Sequence, residues 1–189
     1  MGPSSSETSV HSRAELEAGL DEIRRSPRDA GELNLIVRRP DVGVREELET
    51  GDLDVASGLV GDTWRTRRSR LTPDGSPHPD TQLNVMNARV AALLARDDRR
   101  WSLAGDQLFI DLDLSEANLP AGTRLALGSA VIEVTPQPHT GCGKFTSRFG
   151  VDAATFVNSP LGRKLNLRGI NAKVIEGGRV KVGDLARKI

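Results

Sequence analysis

The chain has 189 residues, 26 basic and 26 acidic side chains, one cysteine and no tyrosine. One cysteine excludes a disulfide scaffold and a structural Cys₄ or Cys₂His₂ zinc site. No apolar run approaches the ~18–20 residues of a spanning helix, and the Met-Gly-Pro-Ser-Ser-Ser start lacks an apolar signal core, so a cytoplasmic protein without a membrane partner is expected.

Net zero charge hides an asymmetry. Residues 1–62 hold 14 acids and 7 bases, whereas residues 139–189 hold 3 acids and 10 bases and include the lone cysteine. Arginine supplies 21 of the 26 positive charges, which suits bidentate contacts to anions.

In chain order, the Ser- and Thr-rich first ten residues predict disorder. Ser12 and Glu15 then form a capping box for a helix whose Leu16, Leu20 and Ile23 share a face, stopped by Ser26-Pro27. Residues 1–31 thus read as a disordered N-terminus plus an appended helix, and residues 32–189 as the main domain. Leu33 to Arg38 and Val42 to Arg45 predict strands, with turns at Gly51-Asp52, Gly58 and Gly61-Asp62. Residues 65–80 are a long polar loop. A helix over Asn87 to Arg96 buries Val90, Leu93 and Leu94. Gln107 to Leu114 alternates Leu108, Ile110, Leu112 and Leu114 with Phe109, Asp111 and Asp113, the clearest strand pattern of the chain. Arg124 to Leu127 and Ala130 to Val134 flank Gly128-Ser129 as a hairpin. Asp152 is suited to cap a helix over Ala153 to Val157, and Ser159-Pro160 starts another through Lys164. Strands return at Gly169 to Ile175 and Val180 to Val182. Many short strands without a βαβ rhythm predict a mainly β fold, a barrel decorated by short helices.

The chemistry concentrates in Pro136 to Gly150. A lone cysteine is commonly a small buried hydrophobe. Cys142, however, stands between two glycines after a strand, with Lys144 and Arg148 following, so an exposed loop and an electropositive neighbourhood enriched in thiolate are expected. Such a thiolate attacks electrophiles or binds a soft metal. His139 is either a hydrogen-bonding loop residue or a proton donor beside the thiolate; a Cys-His hydrolase pair would need a third, orienting group that the sequence does not identify. Arg163, Lys164 and Arg168, around a turn bearing Asn158 and with Asn171 nearby, suit an oxyanion. The run Trp64 to Arg70 is basic but has one aromatic and no nucleic-acid-binding framework, so no nucleic acid partner is expected, and it reads as a mobile loop over the site.

Together these segments resemble the MOSC family, the domain of molybdenum-cofactor sulfurase C-termini, in its small stand-alone bacterial form. The matching pieces are Gly58-Leu-Val-Gly-Asp62, Gln82-Leu-Asn-Val-Met86, Leu125 to Val134, Gly141 to Gly150, Phe156-Val-Asn158, Arg168-Gly169 and Gly178 to Asp184, in order over roughly residues 32–186. The family turn often continues Gly-Asp-Arg-His where this chain has Thr63-Trp64. The resemblance implies a β-barrel-like fold whose cysteine, here Cys142, either ligates molybdenum of a Mo-pterin cofactor or carries a persulfide. The basic third offers Lys144, Arg148, Arg163 and Arg168 to the pterin phosphate. The implied activity is reduction of N-hydroxylated or related N–O small molecules, with electrons from a separate electron-donor protein. Two alternatives are a sulfur carrier charged by a separate cysteine desulfurase, since no pyridoxal-phosphate lysine domain fits in this length, and a non-enzymatic cofactor-handover module.

Overall fold

The structure, a computed structural model, describes residues 10–189. The disorder expected of the first ten residues therefore lies, apart from Val10, outside the described residues.

Eleven strands carry the fold: β1 (Ala30–Arg38), β2 (Glu46–Leu48), β3 (Thr50–Asp54), β4 (Gly58–Leu59), β5 (Leu83–Asn87), β6 (Leu108–Ile110), β7 (Arg124–Leu127), β8 (Ala130–Val134), β9 (Ile170–Glu176), β10 (Gly178–Lys181) and β11 (Leu185–Lys188). Seven of them close a ring in the order β1-β11-β7-β8-β9-β5-β6, with β6 returning to β1. An odd ring cannot alternate strand direction throughout, and the parallel pair falls at β5 and β6. A parallel pair needs a crossover, which is supplied by α3 (Ala88–Ala95) and a 3₁₀ segment, Asp98–Ala104. Strand β2 extends the wall outside the ring, and β10-β3-β4 form a small separate sheet. The expected mainly β barrel with peripheral short helices is what the chain forms.

The barrel has two cores. Leu33, Ile36, Leu83, Val85, Leu108, Ile110, Ile132 and Val174 belong to one cluster; Val37, Met86 and Phe109, from the same strands, belong to a second. Leu33 and Ile36 share a cluster despite an odd spacing because the β1–β6 register shifts between Leu33 and Leu35, and a bulge of this kind flips the faces beyond it. The second cluster lies under the helices α1 (Arg13–Ala18), α2 (Leu20–Arg24), α3, α4 (Gly143–Phe149) and α5 (Val151–Asn158), which contribute Leu16, Ile23, Val90, Phe145 and Phe156 to it. The capping box forms: Glu15 N donates to Ser12 Oγ, and Ser12 N donates to Glu15 Oε2. Helix α6 (Pro160–Lys164) is capped by Ser159 with Pro160 in its first turn, as its sequence predicts.

Several local expectations are corrected. Val42 to Arg45 is a turn rather than a strand, because Gly43 takes φ +83° and Asp41 accepts from Val42 N and Val44 N; the strand begins at Glu46. Gly51-Asp52 lies inside β3, paired with Val180 and Arg179. Gly51 is needed for packing there, since a Cβ would sit 2.8 Å from Leu59 Cδ1. Gly150, not Asp152, caps α5; the Asp152 carboxylate instead accepts from Arg13 N at 3.1 Å and ties α1 to α5. The strand expected over Gln107 to Leu114 is shorter: it ends at Ile110, and of the residues alternating with its leucines Phe109 is fully buried under the helical layer while Asp111 and Asp113 are half-buried.

Phe109→Ala accordingly costs ~3–5 kcal/mol, the penalty of emptying an aromatic site in a closed core. Urea unfolding reads this directly; a change within ~0.5 kcal/mol, the scale of a surface substitution, would mean that the second core is not packed on β6.

Candidate functional site

The polar face of the barrel wall arises by simple alternation. Leu83 and Val85 of β5, and Ile170 and Ala172 of β9, point inward, so Asn84 and Asn171 between them point outward. The two asparagines stand opposite each other in the β5–β9 register, and Asn84 Nδ2 donates to Asn171 Oδ1 at 2.7 Å. Arg39, just past the end of β1, reaches the same place. Its Nε and Nη2 grip Asp62 at 2.7 and 2.8 Å, while Nη1 donates to Asn84 Oδ1 at 3.0 Å and to Gly105 O at 2.8 Å. Both Arg39 and Asp62 are buried. Burial alone would raise Asp62, but the Arg39 bonds and charge hold its carboxyl below the ordinary value.

Arg39 thereby fixes the Asn84 amide. With Oδ1 committed to the guanidinium, Nδ2 donates to Nδ1 of His139 at 3.0 Å. An accepting Nδ1 leaves the proton of a neutral ring on Nε2, which faces Asp106 Oδ1 at 3.4 Å. Burial, then the charge of Arg168, lowers His139 to about 4 despite Asp106. Nδ1 is thus hydrogen-bonded while Nε2, buried against Asp106 Oδ1, makes no hydrogen bond, and the ring is neutral at physiological pH.

Asp106, fully buried, accepts from Arg168 Nη1 at 2.6 Å. Arg168 also donates to Ala104 O at 2.9 Å and lies 4.9 Å over the Phe145 ring. Cys142 is exposed, as expected, but stands at the N-cap of a helix, α4, rather than within a loop. Its partial burial pushes the thiol up; the N–H groups of Phe145 and Lys144 and the charge of Arg168 outweigh this and bring it below its ordinary value. The cationic influence comes from Arg168, 26 residues away in sequence, rather than from neighbouring Lys144.

Two clefts share a wall made by residues Gln137 to Thr140, held to the barrel by Asn171 Nδ2 donating to Gln137 O at 2.9 Å. The smaller, about 340 Å³, is lined by Arg39, Asn84, Trp64, Arg67 and Arg68. The larger, about 510 Å³, is lined by Leu119, Val134, Ile170, Arg163 and Arg168 among others. Thr140, two residues before Cys142, borders both.

The proposed cations separate. Arg168 is committed to Asp106. Arg163 borders the larger cleft, where its Nε donates to Asn158 O. Asn158 brackets Gly141, accepting from its N at 2.9 Å and donating to its O at 3.1 Å. Lys144 is exposed in the first turn of α4. Arg148 Nη1 donates to Leu103 O and lies 3.8 Å from where a side chain on Gly105 would begin; Arg45 Nη2 reaches the same point at 3.9 Å. Burial, then Arg148 and Arg39, lowers Arg45; burial of its head group, then Arg39, lowers Arg67, with Arg45 also contributing. Among the described residues none of Arg45, Arg67 and Arg148 has a carboxylate within 4.0 Å, and Arg45 Nε is buried without a partner. Sequence reasoning missed Arg39, Arg45, Arg67 and Asp106. For Arg39 and Asp106 the available signal was a charged residue abutting a strand of otherwise apolar character.

A family model described as MOSC domain matches residues 4–187. The chain belongs to the MOSC family. Among solved structures it is similar to the YuaD protein from Bacillus subtilis, with TM-score 0.56 and 16% identity, over 83% of this chain and 94% of that one. It is also similar to YiiM from Escherichia coli, with TM-score 0.54 and 20% identity, over 84% and 69% of the two chains. YiiM from Geobacillus stearothermophilus matches with TM-score 0.52 and 12% identity, over 86% and 73%. At these identities the likeness is one of fold. No curated protein matches. Among the described residues, no helix is long and apolar enough to cross a membrane, and no group of three or more His, Cys, Asp or Glu side chains is placed to hold a metal ion. The MOSC family is associated with molybdenum-cofactor binding.

Two titrations test this geometry. The rate of Cys142 alkylation by iodoacetamide should reach half its plateau below the ~8.5 of a free thiol; a midpoint at or above that value removes the thiolate. His139 should stay uncharged in a carbon-2 proton NMR titration until the pH nears 4. Because its folded value lies below the unfolded ~6.5, the unfolded chain binds the proton first, so stability present above pH 6.5 declines as pH falls from there toward 4. Urea unfolding of wild type and His139→Gln across that window should show a shallower acid loss in the variant.

Proposed function

We propose that the protein binds a Mo-pterin cofactor through Cys142 and reduces N-hydroxylated or related N–O small molecules with electrons from a separate donor protein. The observation that carries this reading is an exposed thiol, held below its ordinary value, two residues past the wall of a cleft lined by Arg67, which has no carboxylate within 4.0 Å among the described residues. The residues fit the group in two respects. A soft thiolate suits molybdenum, and Arg45, Arg67 and Arg148 form an unneutralised cluster, with one orphaned buried nitrogen, into which a phosphate would bring the missing charge. Bound there, the cofactor would supply a two-electron centre with an exchangeable oxygen position.

The chain's own residues would do the rest. Cys142 presents the ligand, and the amides of Lys144 and Phe145 favour its anion. Arg39 and Asn84 keep the adjoining wall rigid, and Asn158 fixes Gly141 on both its N–H and its carbonyl, which orients the cysteine that follows. His139, neutral and held through Nδ1 by Asn84, acts in this reading as part of that wall, and the protons consumed in N–O cleavage come from solvent.

Protein purified from a host that makes the cofactor should contain close to one molybdenum per chain, and Cys142→Ala should lose nearly all of it with a melting temperature little changed, because the side chain is exposed. A molybdenum-free wild type carrying one cyanide-labile sulfur on Cys142 by intact-mass spectrometry would replace this reading with the sulfur carrier. A loaded protein that turns over no N–O compound would replace it with the handover module.

A further inference from the structure

The larger cleft, about 510 Å³, falls within the ~300–1,000 Å³ typical of small-molecule pockets. Its floor is apolar: Leu119, Val134 and Ile170 line it and are buried. Its border carries an exposed cation, Arg163, with both terminal nitrogens uncommitted, beside Arg168, whose buried Nε also lacks a partner. Arg163 spends only Nε, on Asn158 O at 3.1 Å, and its two terminal nitrogens have neither a hydrogen-bond acceptor nor a carboxylate within 4.0 Å among the described residues. An arginine held by Nε with its fork open is the arrangement that takes a carboxylate through two parallel bonds. The anchor is also coupled to the thiol, because Asn158, which holds Arg163, is the same residue that brackets Gly141 beside Cys142. Glu116 lines the same cleft and makes no ion pair among the described residues, so a second negative charge on the ligand is disfavoured there.

We infer that this cleft is the substrate pocket and that it selects N-hydroxylated compounds with a flat apolar body and a single carboxylate, received by Arg163. The binding part of the inference stands on the cleft alone; the fate of the ligand rests on the reductase reading above. For an arylhydroxylamine the N–O bond breaks, two electrons and two protons enter, and the products are the arylamine and water; a reduced viologen can serve as the electron source.

The test uses the full chain and two redox-inert products, 4-aminobenzoate and aniline, with affinities from isothermal titration calorimetry or ligand-observed NMR. Wild type should bind 4-aminobenzoate about tenfold to a hundredfold more tightly than aniline, the range of one charge-assisted fork. Arg163→Ala should abolish that preference, Arg163→Lys should restore part of it, and Glu116→Gln should strengthen 4-aminobenzoate binding a few-fold, a gain that mere structural damage would not give. Equal affinities for the two ligands, or a preference that survives Arg163→Ala, overturns the inference. With molybdenum-loaded protein and reduced viologen, 4-(hydroxyamino)benzoate should be reduced at lower KM than phenylhydroxylamine. Loss of reduction of both, with the binding preference intact, overturns the reductase reading and leaves the carboxylate pocket standing; reduction of both at equal KM overturns the pocket and leaves the reductase.

Discussion

Two carboxylates removed from water, Asp62 and Asp106, set the terms for everything around the site. A buried carboxylate without a partner is among the costlier defects a fold can carry, and removing one member of such a pair typically costs ~3–5 kcal/mol. Each is answered by an arginine from a distant part of the chain, Asp62 by Arg39 and Asp106 by Arg168. These pairs stand on either side of Asn84, Asn171 and His139, and each pair polarises one end of that row: Arg39 orients the Asn84 amide, and Asp106 faces the His139 Nε2. The row in turn pins the Gln137–Thr140 segment that divides the two clefts. Rigidity at the approach to Cys142 therefore traces back to the need to neutralise two buried acids.

The same constraint sorts the cations. An arginine that neutralises a buried acid cannot also be spared for a ligand, so Arg39 and Arg168 shape the site and the arginines without acids remain to bind. This explains why a basic C-terminal third is a poor guide to which residues meet an anion. Arg148 from that third joins Arg45 and Arg67 from the acidic and neutral parts of the sequence, around the turn at Gly105. Charge asymmetry along the chain is redistributed by a closed barrel, in which the first strand of the ring and the last are neighbours.

What the sequence made legible follows a physical line. Patterns decided within a few residues survive into the structure: the Ser12–Glu15 capping box, the hairpin at Gly128-Ser129 and the Ser159-Pro160 helix start. Patterns decided by what covers them do not. Phe109 looks like a solvent-side residue until α3 and its neighbours are laid over β6, and Gly51 looks like a turn until Leu59 closes on it. Cys142 shows both behaviours. Its exposure was legible from flanking glycines, but α4 was not, because Gly143-Lys-Phe-Thr-Ser has poor helix propensity and gains its helix by burying Phe145 and Phe149 against the second core. The Asp106–Arg168 and Asp62–Arg39 pairs, 62 and 23 residues apart, leave no local signature.

The sources of the thiolate's stabilisation have a consequence for how the site works as a unit. Fixed backbone N–H groups and a buried Arg168 lower Cys142, and the buried guanidinium is less screened than an exposed charge would be, because screening falls mainly on exposed charges. Arg45 and Arg67 lie nearer the surface, and their attraction for a phosphate weakens as salt rises over a Debye length of ~8–10 Å. The lowering of Cys142 thus depends less on ionic conditions than the field of the exposed arginines does.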